Sequence, residues 1–279
     1  FACELSKKEK NDKVFFVTFA AVIMLPTVIL NSAYWGQCDS IYTTFIILTL
    51  LYLYREKYHR AFMFLGIAFA FKMQTIFIFP FIICFYIYKK QFSIFELLIT
   101  VFTFWISGIG AFVQGRSLLD PFRIYANQTG TYQYMHVNFP SFWMFVGNDY
   151  EWLKTAAIVM AAGICGMGLY IIMKRKLDCS RPENFVNIAS WFIWTCVLFL
   201  PAMHERYAYP LEILLVILTC INKDYLKYSS VAILFSLFTY GNYLFSNGGL
   251  DKYIVIIYAG CYLHFTYTIL KKNSKAATV

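Results

Sequence analysis

Ten stretches of this chain carry almost no charge, at about 14–30, 40–54, 61–71, 75–88, 92–113, 153–173, 185–200, 210–221, 228–245 and 253–270. No other feature limits the fold as strongly. In lipid, every backbone N–H and C=O must be bonded within its own segment, so apolar runs of this kind become helices. Charged residues make up only 14% of the chain, against about 25% in a soluble domain. The expectation is an all-α polytopic membrane protein with about ten membrane segments, forming a single transmembrane domain over 1–279. The sequence opens at Phe1 without a methionine and soon reaches Lys7, Lys8 and Lys10. It therefore reads as the C-terminal part of a longer chain that begins with another hydrophobic segment.

Residues 61–88 decide the topology. One continuous helix would place Lys72 and Gln74 in its middle, whereas two short helices would make a hairpin turning at Lys72, Met73 and Gln74. Loop charge arbitrates. With the hairpin, 18 of the 24 Lys and Arg fall on one side, in the loops at 7–13, 55–60, 89–90, 174–181, 223–227 and 271–275. Such a bias marks the cytoplasmic side, and it places both ends of the sequence there. A single helix would destroy the asymmetry. The net charge of +9 thus reflects topology, and no nucleic-acid partner is implied.

Three loops then share the outer face: Asn31–Ser40, a long loop at 114–152 and the loop between Pro201 and Pro210. Prolines end one helix and restart another around Met203-His204-Glu205-Arg206-Tyr207. Ionisable residues beside a bilayer are costly and default to a functional reading. Asp39, Lys72, Gln74, His204, Glu205 and Arg206 would all approach this side. Cations there can hold a lipid-linked phosphate, and a carboxylate can serve as a general base. Ion or proton transport fits the same residues equally well.

Several motifs bear a family resemblance. Trp35-Gly-Gln37-Cys-Asp39, then Phe71-Lys72-Met-Gln74 ahead of Pro80, and finally Met203-His-Glu-Arg-Tyr207 resemble bacterial and archaeal mannosyltransferases related to the second GPI mannosyltransferase. Val137-Asn138-Phe-Pro-Ser-Phe-Trp143 is a looser match. The resemblance covers about 31–210 and implies a GT-C-like helical bundle. It further implies an inverting enzyme that moves a sugar from a polyprenyl- or dolichyl-phosphate donor to a glycan or glycolipid acceptor on the non-cytoplasmic face. In that superfamily the principal catalytic Asp lies in the first outer loop, which would fall upstream of Phe1.

The resemblance implies catalytic roles for Glu205 and Asp39, and substrate binding by His204, Arg206, Lys72, Gln74, Gln37, Trp35 and Asn138. Arg206 would bind phosphate, His204 would bond it or the sugar, and Glu205 would orient Arg206 or act as base. Each residue also has a plainer reading. Trp35 could anchor the interface, and Lys72 could snorkel to it. Arg116 and Arg123 read as solvated loop charges, with phosphate or headgroup contacts as the alternative, His59 and His264 as structural, and His136 and Asn138 as either loop structure or sugar contacts. Asn127-Gln-Thr129 is a glycosylation sequon, relevant only in an endoplasmic reticulum membrane. A bacterial cytoplasmic membrane is the first expectation for location. The eight cysteines form no C-x-x-C pair and no metal-ligand spacing with the four histidines, so no metal-ligating residue is assigned; the lipid-linked sugar is the donor substrate, and a requirement for a divalent metal is left open. A transporter or flippase of a lipid-linked or charged substrate is the alternative, and a membrane scaffold the third reading.

Overall fold

A computed structural model describes residues 1–6, 12–128, 130–245 and 252–274. Lys7, Lys8, Lys10, Lys275 and the sequon's Thr129 lie outside the described residues. Most of the rest is helical. In chain order the principal elements are α1 (Asp12–Ile23), α2 (Asp39–Tyr54), α3 (Tyr58–Phe71), α4 (Phe79–Lys89), α5 (Glu96–Ile106), α6 (Asp120–Gln128), β1 (His136–Val137), α7 (Tyr150–Lys174), α8 (Pro182–Phe199), β2 (Met203–His204), α9 (Tyr209–Ile221), α10 (Leu226–Phe245) and α11 (Lys252–Ser274). Each of the ten apolar stretches is helical over most of its length.

Fewer of them have the length and apolarity of a complete span. Among the described residues, two helices do: α7 and the Lys252–Lys271 part of α11. A third is possible if Lys13–Ile23 and Pro26–Tyr34, bent by 49° at Pro26, count as one. The shortfall has two physical causes. The helices α2, α3, α5 and α9 are 16, 14, 11 and 13 residues long, or roughly 16–24 Å, against a hydrocarbon core of ~30 Å. By contrast, α8 and α10 are long enough but carry interior polar residues, including Asn184, Asn187, Ser190, Ser236, Thr239 and Asn242.

The chain divides into two compact units, 1–36 with 134–279, and 37–133. In the larger unit α8 is the central helix, with every residue from Asn184 to Leu198 buried. Its neighbours α7, α9 and α11 pack around it. Some polar side chains of α8 bond to those neighbours or to adjoining turns: Thr195 meets the Tyr262 hydroxyl at 2.8 Å, and Asn187 donates to the Tyr225 hydroxyl at 2.5 Å. Gly168 of α7 is required by close packing, since a Cβ there would lie 2.3 Å from the Trp191 ring.

In the smaller unit α3 lies between α2 and α5. Gly66 allows the approach of α5, because a Cβ at that position would lie 2.5 Å from the Thr100 carbonyl oxygen. Helix stops at Lys72, whose backbone is extended at φ −158° and ψ 133°. The chain then reverses. Lys89 reaches Glu56 at 2.8 Å, and Phe92 packs on both Phe62 and Phe85. The start of α3 and the end of α4 are therefore adjacent.

The stretch at 114–152 is folded. It contains α6, β1 and a 3-10 turn at Phe142–Phe145. Asn148 Oδ1 accepts from the backbone N–H groups of Met135 and His136 at 2.7 and 3.1 Å. Trp143 Nε1 donates to the Phe199 carbonyl at 2.7 Å, satisfying one of the carbonyls left open at the end of α8.

Candidate functional site

Pro201 and Pro210 interrupt the helices where the sequence suggests, and the loop between them is built into the larger unit by three contacts. Its first residues pair in parallel with the long loop, His136 with Met203 and Val137 with His204. Ala202, at φ 57°, turns the backbone so that its N–H donates to the Tyr134 carbonyl at 3.1 Å. Farther along, Thr239 Oγ1 of α10 donates to the Glu205 carbonyl at 3.2 Å.

This framework fixes the charged trio. Glu205 is fully buried, and its Oε1 accepts from Arg206 Nη1 at 2.7 Å. Its other oxygen, Oε2, accepts no hydrogen bond from the described residues, and His204 Nδ1 stands 3.7 Å from it. The Arg206 guanidinium lies over the Trp35 ring at 5.1 Å and the Tyr207 ring at 5.9 Å. Trp35 is itself wedged against Tyr240 and Tyr243, at ring separations of 5.7 and 4.7 Å. A guanidinium stacked on aromatic faces and fixed by a buried carboxylate keeps its planar donor edge oriented. The Arg206 side chain is 18% exposed while that of Glu205 is wholly covered. Charge therefore reaches the surface as a cation.

Asp39, Lys72, Gln37 and Gln74 belong to the smaller unit. Asp39 is fully buried in the first turn of α2, where the helix dipole favours a negative charge. Lys72 Nζ donates to Asp39 Oδ1 and also lies over the Tyr42 ring at 5.4 Å. Lys72 is thus a partner of Asp39 rather than a lysine that merely snorkels. Gln37 and Gln74 are half-buried. Asn138, also half-buried, belongs to the larger unit and has a left-handed backbone at φ 50°. Asn tolerates that conformation better than most residues, which is a local reason for its presence just beyond β1.

The remaining candidates divide in the same way. His59 bonds Glu96 at 2.7 Å, and His264 bonds the Tyr228 hydroxyl at 2.7 Å, both structural contacts. Arg116 and Arg123 border an open pocket of about 660 Å³ beside α6, and Arg123 stands 3.6 Å from Asp120. In that pocket Tyr125 donates to the Phe69 carbonyl. Burial, with a smaller contribution from Cys38, pushes its phenol up to about 12. Burial also holds the His136 imidazole below its ordinary pKa.

Two features escape the sequence reading. One is the Asp39–Lys72 pair, which links residues 33 positions apart. The other is Glu212, fully buried in the first turn of α9, where Ser236 donates to its Oε1. Its one available signal is an acid close to the start of an apolar run. Among the described residues, no group of three or more His, Cys, Asp or Glu could hold a metal ion. Comparison with protein-family models, curated proteins and solved structures finds no match to this chain.

Proposed function

We propose that this chain is a membrane-embedded, inverting glycosyltransferase of GT-C-like architecture, with its ten apolar helices set in the membrane and the reversal at Lys72 stopping partway through it. The sugar, a mannose by motif resemblance, comes from a polyprenyl- or dolichyl-phosphate donor. The acceptor is a glycan or glycolipid on the non-cytoplasmic face, in a bacterial cytoplasmic membrane or the endoplasmic reticulum.

One observation carries this reading: the Arg206 guanidinium, oriented by buried Glu205 and stacked on Trp35, is partly exposed at the surface of an apolar bundle. Such a cation suits a phosphate arriving on a lipid. The acceptor hydroxyl oxygen attacks the anomeric carbon opposite the phosphate. The bond from that carbon to the phosphate oxygen breaks, leaving its electron pair on the phosphate, and Arg206 stabilises the charge that develops. The hydroxyl proton passes to a carboxylate. Within this sequence the candidate is Glu205, whose Oε1 is bonded to Arg206 while its Oε2 is buried with no hydrogen bond from the described residues. His204 holds the donor from the other side of Glu205, while Asp39 and Lys72 form a second charged site in the smaller unit.

The test is transfer by purified full-length protein from polyprenyl-phosphate mannose. Arg206→Ala should lower the rate on the order of 10²–10³-fold, as for other groups that stabilise developing charge. Equal rates in the two proteins would remove Arg206 from the chemistry, and no transfer from any polyprenyl-phosphate sugar would end the reading. Glu212 favours the alternative of a transporter, since a buried acid in an apolar helix suits a proton path. In that case Glu212→Gln abolishes flux into liposomes.

A further inference from the structure

An apolar groove of about 340 Å³ runs between α7, α8 and α11. Its wall is built from close contacts. Gly168 admits the Trp191 ring, Trp191 Nε1 donates to Thr266 Oγ1 at 2.8 Å, and that hydroxyl donates to the Tyr262 carbonyl at 2.9 Å. Polar atoms of the wall are thus bonded to one another, and hydrocarbon faces the groove. The helices on either side, α7 and α11, are the two long and apolar enough to cross a membrane. On the groove's rim, Met167 is 59% and Leu263 65% exposed, so it opens towards lipid chains.

One end of the groove is basic. From Ile171 and Ile172, which line it, α7 continues into Lys174, and the chain runs on through Arg175 and Lys176; α11 continues from Leu270 into Lys271. All four basic residues are exposed. Over 174–181 four basic residues stand against a single acid, Asp178. Lys174 and Lys271 each fold along a tyrosine, with Nζ 5.5 and 5.6 Å from the Tyr170 and Tyr267 rings, which marks the level of a membrane interface. The Arg206 loop follows the opposite end of α8, which is 18 residues long, or ~27 Å away along that helix.

We propose that this groove binds an anionic phospholipid from the leaflet on its basic side. One acyl chain lies along Met167, Ile171, Trp191 and Leu263, and the phosphate headgroup is held by Lys174, Arg175, Lys176 and Lys271. Charge complementarity selects the occupant: basic residues at a membrane surface attract anionic lipid, whereas a zwitterionic lipid with the same chains gains only the groove. The site is independent of transfer or transport chemistry.

Native mass spectrometry of the full chain in detergent tests the idea, with phosphatidylglycerol and phosphatidylcholine of identical acyl chains as probes. Wild type should retain one phosphatidylglycerol on the order of tenfold more tightly than phosphatidylcholine, and added salt should erode only that preference. Lys174→Gln/Arg175→Gln/Lys271→Gln should remove most of the preference for phosphatidylglycerol, leaving only the share that Lys176 supplies. Met167→Trp, which crowds the rim from an exposed position, should weaken both lipids together. Equal retention of the two lipids by wild type, or a preference indifferent to salt, overturns the headgroup assignment even if the triple variant fails to fold. Unchanged retention in Met167→Trp overturns the groove.

Discussion

Removing the ammonium group of Lys72 tests the internal logic of the smaller unit. Lys72→Met keeps the length and apolar stem of the side chain but strips the cation from Asp39, which is 0% exposed. Breaking a buried ion pair at one partner costs about 3–5 kcal/mol, or roughly a hundredfold to several thousandfold in the folding equilibrium. The reverse change should be milder. In Asp39→Asn the lysine side chain, already 12% exposed, can swing its ammonium outwards on a flexible stem, and a loss of about 1–2 kcal/mol is expected. The double variant should be less harmed than the sum of the two, because it leaves no unpaired charge behind. A coupling of at least ~2 kcal/mol follows. The assay is a double-mutant cycle on full-length protein in detergent, unfolded with sodium dodecyl sulfate and followed by far-ultraviolet circular dichroism. Additive losses, or a Lys72→Met cost below ~1 kcal/mol, would refute the argument that this pair is buried and mutually dependent.

Gly168→Ala should destabilise the larger unit by about 1–3 kcal/mol, the usual cost of overpacking, because the new methyl meets the Trp191 ring at 2.3 Å; the same unfolding assay reads it, and a neutral result would mean that α7 and α8 do not pack this closely. His136 gives a pH dependence whose sign is fixed. Its folded pKa lies below the ordinary 6.5, so between the two values the unfolded chain binds more protons. Its share of stability is complete above the unfolded pKa and is lost as pH falls through 6.5 towards the folded value. His136→Gln should flatten the unfolding free energy below the ordinary imidazole pKa, and an unchanged slope would show that His136 is not the group responsible.

Much of the architecture could be read from the residues because lipid imposes local rules. Apolar runs had to become helices, and Pro201 with Pro210 had to interrupt them. The break at Lys72 followed from the distribution of Lys and Arg. What could not be read depends on contacts through space. Nothing in the spacing of Asp39 and Lys72 announces that one neutralises the other, and the parallel pairing of 136–137 with 203–204 joins segments with no local pairing signal. Nor does the sequence show that Ser236, 24 positions on, donates to the buried Glu212. Span length was misjudged for a different reason: hydropathy marks what is apolar, while α8 buries Asn184 and Asn187 by bonding them inside the protein.

The pairing of His136 with Met203 also bears on biosynthesis. The partners lie 67 positions apart, and a ribosome adding about 5–20 residues per second needs roughly 3–13 s to make that interval. For most of it the segment organised by Asn148 exists without the strand that will join it, and Trp143 waits for the Phe199 carbonyl. The charged loop finds this partner already made as it emerges, but Thr239, which bonds the Glu205 carbonyl, lies 34 positions farther on: the loop joins an early segment first and is closed by a later one, so a nascent chain arrested before α10 would carry the Glu205–Arg206 pair without that last tie.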